Sequence, residues 1–195
     1  LGGTDIVDRI LSAFAFAFSD TYRAVTHNKG IMNGIDAVSI ATGQDFRAIE
    51  AAAHAYASRD GKYRSLTTFS KSSNGDLVGR IEIPLSVGIV GGISIVHPVA
   101  RMGLKILGVK SASELACVIA SAGLAQNLAA IRALSTEGIQ KGHMKLHAKN
   151  IAVAAGATGK LVDIVSETMY KQSKISLDSA RRILQDLRHS MDSPS

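Results

Sequence analysis

A helix-rich α+β fold, with one β-hairpin and a helical C-terminal module, is what this sequence predicts. Apolar residues recur at helical spacing over most of the chain. One Asn-Gly turn sits between two short β-like runs, and glycines or capping residues punctuate the rest. The 195 residues are 46% hydrophobic and 19% charged, enough to bury a core and unlike a disordered tail. Aromatic residues make up 5% and Trp is absent, so Ala, Ile, Leu and Val must fill the interior, as in closely packed helices.

Residues 5–24 read as a helix, with Ile6, Ile10, Leu11, Phe14 and Phe18 at helical spacing. Thr26-His27-Asn28-Lys29-Gly30 is polar, ends in glycine and reads as a loop. An Ala-rich helical region follows from about Met32 to Ser58, apolar on most sides, with Thr42-Gly43 inside it. The runs Ser65–Ser70 and Leu77–Ile83 flank Ser72-Ser73-Asn74-Gly75-Asp76, a hairpin turn signal. Val87–Val96 is glycine-rich and ambiguous between loop and buried strand. From Pro98 onward the chain reads helical. Ser111 and Glu114 form a capping box that opens a helix to about Leu134. Three more helices are expected, at about 139–155, 160–171 and 177–191, with Gly156 and Gly159 separating the first two.

The net charge of +6 suits nucleic acid, a membrane surface or a phosphorylated small ligand. The aromatic interleaving of a single-strand binder is missing, so no nucleic-acid partner is expected. No run of eighteen apolar residues occurs, and no membrane association is expected. No signal peptide marks the start, and the lone Cys117 points to a reducing, cytoplasmic setting. Leu1 in place of Met fits a segment of a longer protein.

Three polar clusters interrupt apolar helices. In His27-Asn28-Lys29-Gly30-Ile31-Met32-Asn33-Gly34, a lysine desolvated beside an apolar helix can act as an acid or hold an oxyanion. Read alone, it is more simply a surface lysine in a loop. Asp45, after Thr42-Gly43-Gln44, is either a carboxylate seeking a partner or a helix cap. His143 and His147 lie four apart on one helical face. Met144 stands where a zinc protease has glutamate, and no third ligand suggests itself, so no metal site is expected; acid/base work stays open. Cys117, in an apolar helical run, reads as core. Gly91-Gly92 is not a complete dinucleotide fingerprint.

The stretches YRAVTHNKGIMNGIDAV from Tyr22, ATGQDFRAIEAAAHAYASRDGKY from Ala41, GLAQNLAAIRAL from Gly123 and EGIQKGHMKLHAKNIA from Glu137 together resemble class II 3-hydroxy-3-methylglutaryl-CoA reductases, in that family's order. The resemblance covers nearly all of the chain. It implies the C-terminal part of a large CoA-substrate domain over residues 1–136 and a small helical flap over 137–195. It implies an oxidoreductase of isoprenoid (mevalonate) metabolism, converting 3-hydroxy-3-methylglutaryl-CoA to mevalonate and CoA with NADPH or NADH, or the reverse. Lys29 would hold the oxyanion and donate a proton, Asp45 would tune it, and His143 would protonate the CoA thiolate. Arg23, Asn33 and Gln126 would contact substrate. His147, helped by Lys145 or Lys149, would meet the CoA phosphates. A homodimer or larger homo-oligomer is implied as well.

The family's Glu-Asn-Val-Ile-Gly motif and its cofactor-binding segment are absent, which predicts no reductase activity from this chain alone. The alternative is a non-catalytic helical interaction module derived from the enzyme, although Lys29, Asp45 and His143 are all kept. Lys29 and Asp45 are 16 positions apart. A continuous helix would separate them by roughly 24 Å, so the chain must break near Gly43 or the pair must form between subunits. The position of Gly43 favours the break.

Overall fold

The computed structural model describes residues 3–136 and 138–192, apart from the side chains of 94–95, 139–143 and 188–192. The chain divides into two compact units, Leu1–Thr136 and Glu137–Ser195.

In the first unit, α1 (Thr4–Ser19) ends at Asp20, whose side chain accepts a 2.7 Å hydrogen bond from the Arg23 N–H and so caps α2 (Thr21–Ala41). The break therefore falls at Asp20, and the loop expected at 26–30 is helical instead. Those polar residues are tertiary contacts of a continuous helix. His27 and Asn28 are buried and bonded to the β-hairpin region, and Gly30 faces Ala130. The break expected near Gly43 is present. Thr42 turns its hydroxyl back to the Val38 carbonyl, Gly43 takes a left-handed φ of 69°, and α3 (Phe46–Ala57) starts behind Asp45.

Strands β1 (Thr67–Lys71) and β2 (Leu77–Ile81) pair antiparallel, with Thr67 opposite Ile81 and Lys71 opposite Leu77. Gly75, at φ 85°, closes the turn and donates its N–H to the Ser72 carbonyl. The ambiguous stretch after β2 forms no strand. Ile83, Leu85, Val87 and Ile89 lean on the core from an extended segment, which leads into α4 (Ile93–Val96) and α5 (Pro98–Leu107). Helix α6 (Ala112–Ser135) opens as expected, with the Glu114 N–H donating to Ser111 Oγ. Its exposed Cys117 is not a core residue as read from sequence. An apolar run on a helix buries only one stripe, and Leu115 and Ile119 occupy that stripe.

Helices α2 and α6 run antiparallel in close contact, with Gly30 beside Ala130 and Gly34 beside Ala122 and Gln126. Ile31 and Ile35 press on Gly123. Around this contact, Met32, Ile49, Ala53, Leu66, Leu115 and Ile119 complete the core. Among the described residues, α6 is long and apolar enough, by length and composition, to cross a membrane. Its packing against α2 accounts for that apolar stripe.

The second unit packs α7 (Ile139–Ala154), α8 (Lys160–Lys171) and α9 (Leu177–Asp192) around Ala148, Ala152, Val165, Met169, Ala180 and Leu184. The small alanines let the three helices approach closely.

Candidate active site

The rotation of α2 about its axis decides what it presents. Ala24, His27, Asn28, Ile31, Met32, Ile35 and Ser39 face inward. Tyr22, Thr26, Lys29, Asn33 and Ile40 are exposed on the opposite stripe. Lys29 and Asn33 lie one turn apart, about 6 Å along the axis. Gly34 lets α6 approach so closely that Gln126 stands against the α2 backbone beside Asn33; a Cβ on Gly34 would come within 2.9 Å of Gln126 Cβ. Lys29, Asn33 and Gln126 thus border one open face of the α2–α6 pair. Among the described residues Lys29 makes no hydrogen bond or ion pair, so its ammonium is available to a ligand.

Arg23 is placed differently. It lies four residues before His27 and shares that residue's side of α2, about 120° around the helix from Lys29. Burial lowers its pKa. The charge of Arg23, after burial itself, helps push the His27 imidazole from 6.5 down to about 4.

Asp45 caps α3, accepting from the Ala48 N–H at 3.2 Å, and lies 3.9 Å from Arg47 Nε. Its side chain is 62% exposed. The helix break does not bring it back to Lys29. Helix α2 runs unbroken for twelve residues past Lys29, about 18 Å, before the chain turns. The expected pairing within one chain is therefore not made. Of the two readings open for Asp45, the structure shows the helix cap, with the carboxylate facing solvent.

Two further features emerge only in the tertiary structure. Asp36, on α2, meets Glu50 of α3; burial, the Glu50 charge and a shared hydrogen bond push the Asp36 carboxyl from 3.8 up to about 6. The other is a buried polar network under Lys29. His27 Nε2 is 2.7 Å from Thr67 Oγ1, Thr67 Oγ1 donates to Asn127 Oδ1 at 3.0 Å, and Asn127 Nδ2 donates to the His27 carbonyl at 3.4 Å. Next to it, Asn28 donates to the Arg64 carbonyl at 2.8 Å and accepts from the Leu66 N–H at 3.0 Å. The only sequence signal was an accumulation of polar residues at 26–28, which resembles a loop.

In the second unit the His143 side chain lies outside the described residues. His147 is exposed on α7. Lys145 and Lys149 do not share its face: a step of two residues turns a helix by about 200°. They point to α8, where Lys149 Nζ is 2.7 Å from Asp163 Oδ1 and Lys145 Nζ stands 5.7 Å from the Tyr170 ring centre. The Asp163 hydrogen bond raises the Lys149 pKa. The expected help from these lysines to His147 is therefore not built into α7. Among the described residues no three His, Cys, Asp or Glu side chains gather as metal ligands would.

A sequence model described as hydroxymethylglutaryl-coenzyme A reductase matches residues 1–148. The chain belongs to that family. It is 58% identical, over 188 residues, to the 3-hydroxy-3-methylglutaryl-coenzyme A reductase of Archaeoglobus fulgidus, covering 96% of this chain and 43% of that protein. A probable reductase of Borreliella burgdorferi is 42% identical over 178 residues, with 89% and 41% covered. Among solved structures, the class II reductase of Streptococcus pneumoniae bound to NADPH in open conformations superimposes with a TM-score of 0.66 at 47% identity, covering 95% of this chain and 45% of that one. The chain thus spans less than half the length of the reductases it matches.

Placed in this reductase family, the α2–α6 face offers a free cation, an amide pair and a deep apolar support. Such a face can bind a carbonyl or carboxylate oxygen and protonate it. The residues described here do not fit a nicotinamide dinucleotide. Their sheet has two antiparallel strands, and Gly91-Gly92 leads only into the four-residue α4.

Proposed function

We propose that this chain carries the Lys29, Asp45 and His143 of a reductase interconverting 3-hydroxy-3-methylglutaryl-CoA with mevalonate and CoA by two hydride transfers. The observation that carries the reading is Lys29 standing free beside Asn33 and Gln126 on a face held rigid from beneath. NADPH or NADH supplies the hydrides; the cofactor is given no place among these residues. The NADPH-bound pneumococcal relative supports that assignment. A cytoplasmic setting fits the bacterial and archaeal relatives.

In this reading Lys29 Nζ donates to the thioester oxygen as it becomes an alkoxide, then delivers its proton. Asp45 favours the charged lysine by a charge-assisted hydrogen bond. His143 protonates the departing CoA thiolate, which is otherwise prone to re-add to the aldehyde. Arg23 matches the substrate carboxylate, Asn33 and Gln126 orient the acyl group, and His147 meets CoA phosphate. Because about 18 Å of α2 separates Lys29 from the turn that leads to Asp45, the pair is assigned to two copies of the chain in a homodimer.

The test is subunit complementation in the complete natural polypeptide. Lys29→Ala and Asp45→Asn are each expected to lower kcat by about 10²–10³. Mixed and reassociated, the two inactive variants should recover activity, because half of the hybrid sites hold both native residues. No recovery despite proven subunit exchange refutes the shared site, and normal turnover by Lys29→Ala refutes the assignment of Lys29. The purified 195-residue chain alone is expected to show no turnover with substrate and reduced cofactor.

A further inference from the structure

The polar residues beneath Lys29 form a closed cycle. Ser65 Oγ also lies 3.2 Å from Thr67 Oγ1 but turns its own proton to the Thr67 carbonyl at 2.8 Å. Asn127 Oδ1 has no proton, so the shorter 3.0 Å contact takes the single hydroxyl proton of Thr67. The Asn127 amide cannot be reversed, because its Nδ2 faces the His27 carbonyl. With its proton spent, Thr67 Oγ1 can only accept from His27 Nε2, 2.7 Å away. The imidazole is therefore the neutral tautomer protonated at Nε2. All three side chains are at most 3% exposed, and they come from α2, β1 and α6.

We propose that His27, Thr67 and Asn127 are positioning residues for Lys29, a proposal that rests on the catalytic reading of that lysine. Apolar contacts such as Ile31 and Ile35 on Gly123 are non-directional and tolerate small rotations. Hydrogen bonds do not. The cycle grips α2 through both the ring and the backbone carbonyl of His27, and Asn28 grips the next position through Arg64 and Leu66. Two consecutive side chains fixed about 100° apart set both the height and the rotation of the helix. Lys29, the next residue, is then directed to the open face without a hydrogen bond or ion pair of its own among the described residues. A loop there would leave the lysine to search a wide range of orientations.

The first measurement is a long-range proton–nitrogen correlation spectrum of the chain with nitrogen-15 histidine at neutral pH. His27 is expected with its proton on Nε2 and bare Nδ1; a proton on Nδ1, or a rapid mixture, overturns the cycle. Thr67→Val removes the hydroxyl at nearly constant shape and should abolish the single-tautomer signature, whereas Thr67→Ser should keep it. In the complete natural polypeptide, Thr67→Val is expected to lower kcat by about tenfold to a hundredfold with KM for the acyl-CoA little changed, and Thr67→Ser to restore it. A folded Thr67→Val enzyme with unchanged kcat overturns the positioning role. Should Thr67→Val not fold, the wild-type tautomer and the kcat of Thr67→Ser still decide, and a Thr67→Ser enzyme as impaired as Lys29→Ala counts against the cycle. Failure of the Lys29 reading shows separately, as turnover retained by Lys29→Ala with the His27 signature intact.

Discussion

Acidification below pH 6.5 is expected to weaken the first unit through one buried ring. The His27 imidazole is held neutral, its pKa pushed from 6.5 down to about 4 by burial and then by Arg23. Above 6.5 the ring is neutral whether the chain is folded or not, and it contributes no pH dependence. Below 6.5 the unfolded chain takes up a proton that the folded chain refuses, so stability falls as the pH falls. The loss runs at about 1.4 kcal/mol per pH unit and reaches about 3 kcal/mol near pH 4. Asp36 acts in the opposite sense. Its carboxyl, raised from 3.8 to about 6, holds a proton in the folded chain over that window, so stability is gained there as pH falls. Because Asp36 is less deeply buried than His27, the gain is the smaller effect. The two are separated by His27→Gln, whose amide nitrogen can still donate to Thr67 but does not titrate. Urea midpoints of both proteins, measured by circular dichroism from pH 7.5 to 4.5, should run flat against each other above 6.5. Below that they should converge as the wild type loses its lead. Curves that stay parallel down to pH 4.5 refute the buried neutral histidine.

Three further outcomes follow from the geometry. Gly34→Ala gains about 1 kcal/mol of helix propensity, yet its Cβ would sit 2.5 Å from the Ala122 carbonyl oxygen, so a net loss of about 1–3 kcal/mol is expected in thermal unfolding. Gln44→Ala removes a side chain that donates to the Gly88 carbonyl and accepts from the Gly88 N–H, both at 2.9 Å. It should cost about 1–3 kcal/mol and speed amide exchange at Gly88. Asp45→Ala should lose about 1 kcal/mol of stability through the α3 cap, while Asp45→Asn, still able to cap, loses a few tenths. Comparing the two variants separates the capping role from the proposed catalytic one.

Much of the fold was legible because local signals were strong and agreed. The Asn74-Gly75 turn, the Ser111–Glu114 cap and the Gly43 and Gly156 breaks each need nothing beyond their own neighbours. The reading failed where tertiary contacts overrode local polarity. His27 and Asn28 look like loop residues because unpartnered polar groups avoid a buried face. Their partners, Thr67, Arg64, Leu66 and Asn127, lie 36 to 100 positions away. Cys117 failed for the converse reason, since an apolar neighbourhood in sequence does not say which side of a helix a residue takes.

The candidate site divides in the same way. By itself the sequence named the candidate residues, since Lys29, Asn33, Asp45, Gln126 and His147 all lie in the motifs that carry the family resemblance. Residue identity is written in the chain, and the motifs' order specifies the family. Only the tertiary structure decided that α2 is continuous, that Lys29 faces outward beside Asn33 and Gln126, and that Asp45 lies at the far end of the helix. Direction and distance depend on helix rotation, which the glycines of the α2–α6 contact and the hydrogen bonds of His27 fix across the core.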